Sequence, residues 1–206
     1  PEPRTGLIDR AVIAALDAGI TPMLVLTKTD LKPADELLAL YGPLDIPVFS
    51  IDDRRVPEAL RESLVNQTTV LVGHSGVGKS TLVNSLVPDA DRLTGHVNAV
   101  TGRGRHTSTS VIAMHLPGGG LIVDTPGIRS FGLAHVDVDR IIHAFPDLAH
   151  LTRDCPRSCS HDEPDCALTT ALGAGCPPEV RSRIDSLRRL IRSRVDSDAD
   201  ERAAGA

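Results

Sequence analysis

"TTVLVGHSGVGKS", residues 68–80, is an apolar, β-branched run that breaks into a glycine-punctuated turn. The first five residues read as a buried strand. The remainder matches Gly-x4-Gly-Lys-Ser at Gly73, Gly78, Lys79 and Ser80. In such a loop the glycines let consecutive backbone N–H groups turn inward toward phosphate oxygens, and the helix that follows adds its positive end. His74, Ser75, Gly76, Val77 and Thr81 complete the expected phosphate cradle. Lys79 is expected to reach the β- and γ-phosphates and to serve catalysis there, and Ser80 to ligate Mg²⁺. The plain alternative is a glycine-rich strand-to-helix turn, and position between strand and helix argues against it.

Outward from this loop the pattern repeats. Residues 7–18 and 34–41 have helical periodicity, as do 57–65 and 79–87, whereas "PMLVL" (22–26), "IPVFSI" (46–51), "VIAMHL" (111–116) and "LIVD" (121–124) read as strands, with "GGG" a turn between the last two. Short continuous apolar strands alternating with helices predict an α/β fold: a mostly parallel sheet with helices on both faces. Ligands of such sheets bind at the carboxyl ends of strands. Two further motifs stand there, "TKTD" (27–30) and "DTPG" (124–127).

Asp124 is expected to hold Mg²⁺, and the Gly127 N–H to meet a γ-phosphate; alone, "DTPG" also reads as a type I turn. Between phosphate loop and "DTPG", "GRGRHTSTS" (102–110) occupies the place of a first switch, with Thr107 the first choice to close over Mg²⁺ and Ser108 the alternative. Ile128 stands where a water-orienting Gln would be, so His106 is the nearest candidate to position the attacking water; a solvated loop histidine is the other reading.

"TKTD" supplies the base choice. Asp30 can accept the paired N–H donors on the guanine edge, which adenine lacks. The Lys28 stem can lie over the base, and Thr27 stands where Asn is usual, able to replace part of its bracing. Ser50 in "FSIDD" is expected in the companion loop. The early position of "TKTD" implies a circularly permuted motif order, with the second switch running into the C-terminal segment.

That segment carries all four cysteines. "CPRSCSHDEPDC" (155–166) places Cys155, Cys159, His161 and Cys166 in a Cys-x3-Cys-x-His-x4-Cys pattern. Three thiolates and an imidazole suit one structural, tetrahedral Zn²⁺ with no open position, and a knuckle so poor in apolar residues needs it to fold. Cys176 is a spare thiol or an alternative ligand. Six arginines against Asp185 between Arg181 and Arg194 read equally as a solvated helix face or as an RNA-phosphate surface. The expected division is a GTPase domain over 1–148 and, over 149–206, zinc knuckle, Arg-rich helix and a disordered tail from Val195.

The composition agrees. A net charge of −5 argues against a uniformly basic nucleic-acid binder, and 2% aromatics leave the core to Val, Leu, Ile and Ala. No secretory signal and no span-length apolar run occur, so the expectation is a cytoplasmic chain without membrane attachment, acting as a monomer. A start at Pro1 suggests a fragment of something longer.

Taken together, "IDR", "TKTDL", "GHSGVGKSTLVNSL", "GRGRHTST", "DTPGIRSFGL", "FPDL" and "CSHDEPDCAL" resemble the circularly permuted ribosome small-subunit biogenesis GTPases of the RsgA (YjeQ) family over about residues 6–190. The resemblance implies GTP binding and hydrolysis to GDP, stimulation by the small ribosomal subunit, a role in its late maturation with contact to its rRNA, and an upstream OB-fold domain. It also implies that His106 is needed for hydrolysis and that Cys155, Cys159, His161 and Cys166 hold the zinc. Thr27, a knuckle shortened in two of its loops, and Cys176 depart from the family pattern. The competing readings are a large-subunit permuted GTPase, a zinc-dependent rRNA-binding module using GTP as a clamp with little turnover, and a P-loop kinase.

Overall fold

The computed structural model describes residues 3–53, 55–88, 90, 112–125 and 136–204. The chain forms two compact units. One takes its described residues from Val25–Ala34 and Phe49–Arg129, the other from Pro3–Leu24, Asp35–Val48 and Ser130–Ala206. The elements in order are α1 (Thr5–Asp17), β1 (Leu24–Thr27), α2 (Asp35–Tyr41), β2 (Val48–Ile51), α3 (Glu58–Leu64), β3 (Thr68–Leu71), α4 (Lys79–Leu86), β4 (Ile112–His115), β5 (Leu121–Asp124), α5 (Val138–His143), α6 (Pro146–Ala149), α7 (Ala167–Gly173) and α8 (Pro178–Ala204).

The first unit is built on a three-stranded sheet ordered β3-β5-β4. β3 runs parallel to β5, with Thr68 opposite Leu121 and Leu71 opposite Asp124. β4 runs antiparallel to β5, with Ile112 opposite Asp124. Central β5 carries the fully buried Ile122. The β4–β5 turn requires glycine. Gly120 has φ +102°, and a Cβ there would stand 2.6 Å from the Gln67 carbonyl oxygen, because the turn lies against the α3–β3 connection: Asn66 N–H donates to Gly119 O at 3.0 Å, and Leu121 N–H to Gln67 O at 2.8 Å. β1 and β2 form a separate pair. Leu24 N–H donates to Pro47 O at 2.9 Å and Thr29 N–H to Ile51 O at 3.3 Å; the partners advance together, so these strands run in the same direction. The α/β fold with a mostly parallel sheet stands as the sequence implies.

The second unit is helical. In α8, Ile184, Leu187, Leu190 and Ile191 recur at helical spacing and are buried with Val12 and Ile13 of α1, Tyr41 of α2, Ile141 and Ile142 of α5, and Phe145 and Leu148. Each such side chain contributes about 1.5–3 kcal/mol when fully removed from water. The helix continues to Ala204 through the stretch expected to be a disordered tail. Its last turns lack proline and glycine until Gly205, and Ala, Glu and Arg favour the helix.

Several α8 arginines have partners within the fold. Arg189 lies in an ion pair with buried Asp9, Nε to Oδ2 3.2 Å, and donates to Leu40 O at 3.2 Å. Its guanidinium sits 5.0 Å from the Tyr41 ring centroid. Tyr41 donates to Asp9 Oδ1 at 3.0 Å. Burial and the adjacent Asp9 raise the Tyr41 hydroxyl above its ordinary range, so it remains a donor. Burial pushes the Asp9 carboxyl up, while Arg189 and Tyr41 pull it down. Arg183 holds both Asp147 oxygens and donates to Pro43 O at 2.6 Å. Arg181 donates to Leu172 O at 3.2 Å. Neither of the two sequence readings of this helix, solvated face or phosphate surface, foresaw these roles.

Truncating Arg189 leaves Asp9 buried without its cation. Arg189→Ala should cost roughly 3 kcal/mol, whereas Asp9→Asn with Arg189→Met recovers part of it. Urea unfolding followed by the fluorescence of Tyr41, the sole tyrosine in a chain without tryptophan, checks both.

Candidate nucleotide site and metal centre

Because Leu71 of β3 pairs with Asp124 of β5, the loop leaving β3 and the carboxylate ending β5 emerge side by side. That loop, 73–78, opens α4 at Lys79. Gly78 has φ +100°, a conformation side chains rarely adopt. Lys79 Nζ donates to Gly73 O at 2.7 Å, closing the loop on itself. Ser80 and Thr81 lie in the first turn of α4, and His74 Nδ1 lies 3.0 Å from Ser75 O.

The base-selection candidates come to this loop. Thr27 Oγ1 donates to Val77 O at 2.6 Å, and Lys28 Nζ to Gly76 O at 2.9 Å. Lys28 takes φ +63°, which turns the chain sharply after β1. The bracing that an Asn amide would give is made here by a hydroxyl. Asp30 and Ser50 are both exposed; Ser50 precedes Ile51, whose carbonyl accepts from Thr29.

Asp124 carries the chemistry of a cation ligand. Its Oδ1 is buried without a hydrogen-bond partner, and burial pushes its carboxyl up while Lys79 pulls it down. A buried, unshared carboxylate oxygen beside a phosphate loop fits Mg²⁺. The neighbouring Thr125 donates Oγ1–H to Leu71 O at 2.6 Å, tying β5 to the end of β3; sequence reading missed this, though a hydroxyl directly after the strand is its signal. His106, Thr107, Ser108 and Gly127 lie outside the described residues.

In the second unit, Cys155, Cys159, His161 and Cys166 bring their ligand atoms within 4.8 Å of one another. Cys155 Sγ lies 3.8 Å from Cys166 Sγ and 3.7 Å from His161 Nδ1. A tetrahedral ion with Zn–S of ~2.3 Å sets its sulfurs about 3.8 Å apart. The sulfurs also receive backbone amides: His161 N–H to Cys159 at 3.3 Å, Leu168 N–H to Cys166 at 3.4 Å, and Ala167 N–H to Cys155. Those donors suit thiolates. Burial raises the Cys155 thiol and pushes Cys159 up to about 12, so the charge of a bound cation is what favours the thiolate form. The donor set fits zinc, and Cys176 is not part of this cluster.

Around the ligands, Glu163 accepts from Ser160 N–H at 2.9 Å and Asp162 N–H at 3.2 Å. Arg188 donates to the His161 carbonyl at 3.0 Å. Sequence reading did not single out either residue; a carboxylate inside the ligand spacing was the available signal for Glu163.

A family model described as RsgA GTPase matches residues 1–134. The chain belongs to the RsgA GTPase family. Proteins named small ribosomal subunit biogenesis GTPase RsgA are similar to it: one from Pseudomonas aeruginosa strain LESB58 is 42% identical over 208 residues, covering 96% of this chain and 61% of the relative. Another, from Alcanivorax borkumensis strain SK2, is 41% identical over 191 residues, covering 88% and 54%. The crystal structure of YjeQ from Thermotoga maritima superposes with a TM-score of 0.64 at 25% identity, covering 95% of this chain and 67% of that one. The chain thus spans about three fifths of the curated relatives it matches.

The two loops joined by Thr27 generate a direct test. Thr27→Val removes the donor to Val77 O, and amide hydrogen exchange at 76–79 should accelerate roughly tenfold, the equivalent of one hydrogen bond. Thr27→Asn, which restores a donor, should leave exchange near the parent rate.

Proposed function

We propose that this chain is the GTP-binding and GTP-hydrolysing part of a factor in late maturation of the small ribosomal subunit. The observation that carries it is the double tie of Thr27 and Lys28 to the carbonyls of Val77 and Gly76. It joins a base-selecting loop to a phosphate loop in one compact unit, which a kinase reading leaves without purpose. The names of the relatives support the ribosomal part, and the unit of action proposed is a cytoplasmic monomer contacting the subunit and its rRNA. No helix among the described residues is long and apolar enough to cross a membrane.

In the proposed mechanism, amides of Gly73–Gly78 and Lys79 bind the phosphates, with Lys79 neutralising charge that builds on the γ-phosphoryl oxygens. Ser80, Asp124 and Thr107 are the residues that would hold Mg²⁺, which when bound screens the phosphate charge. Asp30 accepts from the guanine edge and the Lys28 stem covers the base plane. His106 orients the attacking water, and the Gly127 N–H meets the γ-phosphate. Cys155, Cys159, His161 and Cys166 would hold one Zn²⁺, which would cross-link the knuckle.

Phosphate release measured with GTP and ATP, with and without small ribosomal subunits, tests this reading. GTP should be favoured strongly, and Asp30→Asn should reduce the preference by roughly 100-fold. His106→Ala should lower turnover roughly 100-fold with GTP binding nearly intact. Equal use of both nucleotides defeats the guanine assignment, and binding without turnover in the presence of subunits defeats the hydrolytic one. Metal analysis should return about one zinc per chain.

A further inference from the structure

His161 holds its place in the ligand loop in a backbone conformation that non-glycine residues rarely adopt. Its backbone adopts φ +66°, and Ser158 nearby adopts φ +60°, conformations that non-glycine residues hold only when their surroundings fix them. The Glu163 carboxylate gathers amides on one side of the turn. On the other side the His161 carbonyl is held by Arg188 of α8, Nε–H to O at 3.0 Å. The same guanidinium donates Nη2–H to Thr169 Oγ1 at 2.6 Å, and Thr169 in turn donates to the Glu163 carbonyl at 2.8 Å. Arg188 also lies 3.5 Å from Asp162 Oδ1 and is only 13% exposed. One planar side chain therefore grips the ligand loop at His161 and, through Thr169, at Glu163.

We propose that Arg188 is a positioning residue for the metal centre: it fixes the backbone of His161 so that the imidazole faces Cys155, and thereby couples zinc affinity to the docking of α8. The inference rests on the zinc occupancy proposed above. A planar fork suits this task because two diverging bonds fix an angle as well as a distance, which a lysine ammonium cannot do. The neighbouring Arg192–Asp162 pair, both contacts at 2.7 Å with Arg192 64% exposed, adds little because solvent screens it. Arg188 is the sheltered one. Groups that orient metal ligands in this way typically change affinity by about 10–100-fold when removed, and linkage requires that zinc stabilise α8 by the same factor.

The experiment is Zn²⁺ titration of the whole chain against a competing chelator, paired with Co²⁺ absorption as a report of ligand geometry. Arg188→Ala should weaken Zn²⁺ by about 10–100-fold and shift the Co²⁺ ligand-field bands. Arg188→Lys and Thr169→Val should give intermediate losses; they also serve if Arg188→Ala does not fold. Arg189→Ala is the control: it removes an arginine of the same helix that does not touch the knuckle, and under conditions where circular dichroism shows the variant folded it should leave both readouts near the parent. Hydrogen exchange in residues 184–191 should accelerate on chelation in the parent and show a smaller change in Arg188→Ala. Zn²⁺ affinity within about twofold of the parent in all Arg188 and Thr169 variants overturns the inference alone, as does an equal loss in Arg189→Ala. A parent chain that binds neither metal at these four ligands overturns the zinc reading and the inference with it.

Discussion

The parallel register of β3 against β5 is the constraint on which the candidate nucleotide site depends. It sets Leu71 opposite Asp124, so the phosphate loop and the buried carboxylate leave the sheet from neighbouring positions. A slip by one residue would turn Asp124 to the other face. Two features resist that slip. The Thr125 hydroxyl bonds the Leu71 carbonyl at one end, and Gly120 is wedged against Gln67 at the other. The site's geometry is therefore fixed by backbone pairing before any side chain in it acts.

Much of this was legible in the sequence, for a physical reason. A phosphate loop needs glycines at set places, a strand before it and a helix after it, so "GHSGVGKS" carries its structure in its spelling. The candidate metal knuckle is alike in this: its cysteines and histidine fall within twelve residues, and their ligand atoms lie within 4.8 Å of one another. What the sequence concealed were long-range contacts made by residues of ordinary type. Thr27 read as a weakened Asn; its hydroxyl nevertheless reaches Val77, 50 residues away. The arginines of α8 read as a surface, because composition gives charge but not partners. Asp9, Asp147 and Asp162, scattered along the chain, supply partners for Arg189, Arg183, Arg188 and Arg192.

The arginines also divide by what surrounds them. Arg189 neutralises a carboxylate buried in the helical unit, and its loss is costly because Asp9 cannot return to water. Arg183 clamps Asp147, whose carboxyl its hydrogen bonds hold below the usual range even against partial burial. Arg188 bonds carbonyl and hydroxyl oxygens, which gives direction more than charge neutralisation. One helix thus uses the same side chain as counter-ion, staple and ruler.

The helical unit draws α1 from near the start of the chain and α8 from near its end, and the Asp9–Arg189 pair spans 180 residues. Synthesis is vectorial. α1 is made well before α8, and although Tyr41 and Leu44 reach its apolar face earlier, α8 can cover it only after the intervening residues have been synthesised. Closing so long a loop carries an entropic cost that slows the pairing of these two helices. Until then α1 presents part of its apolar face to wrong partners while translation continues.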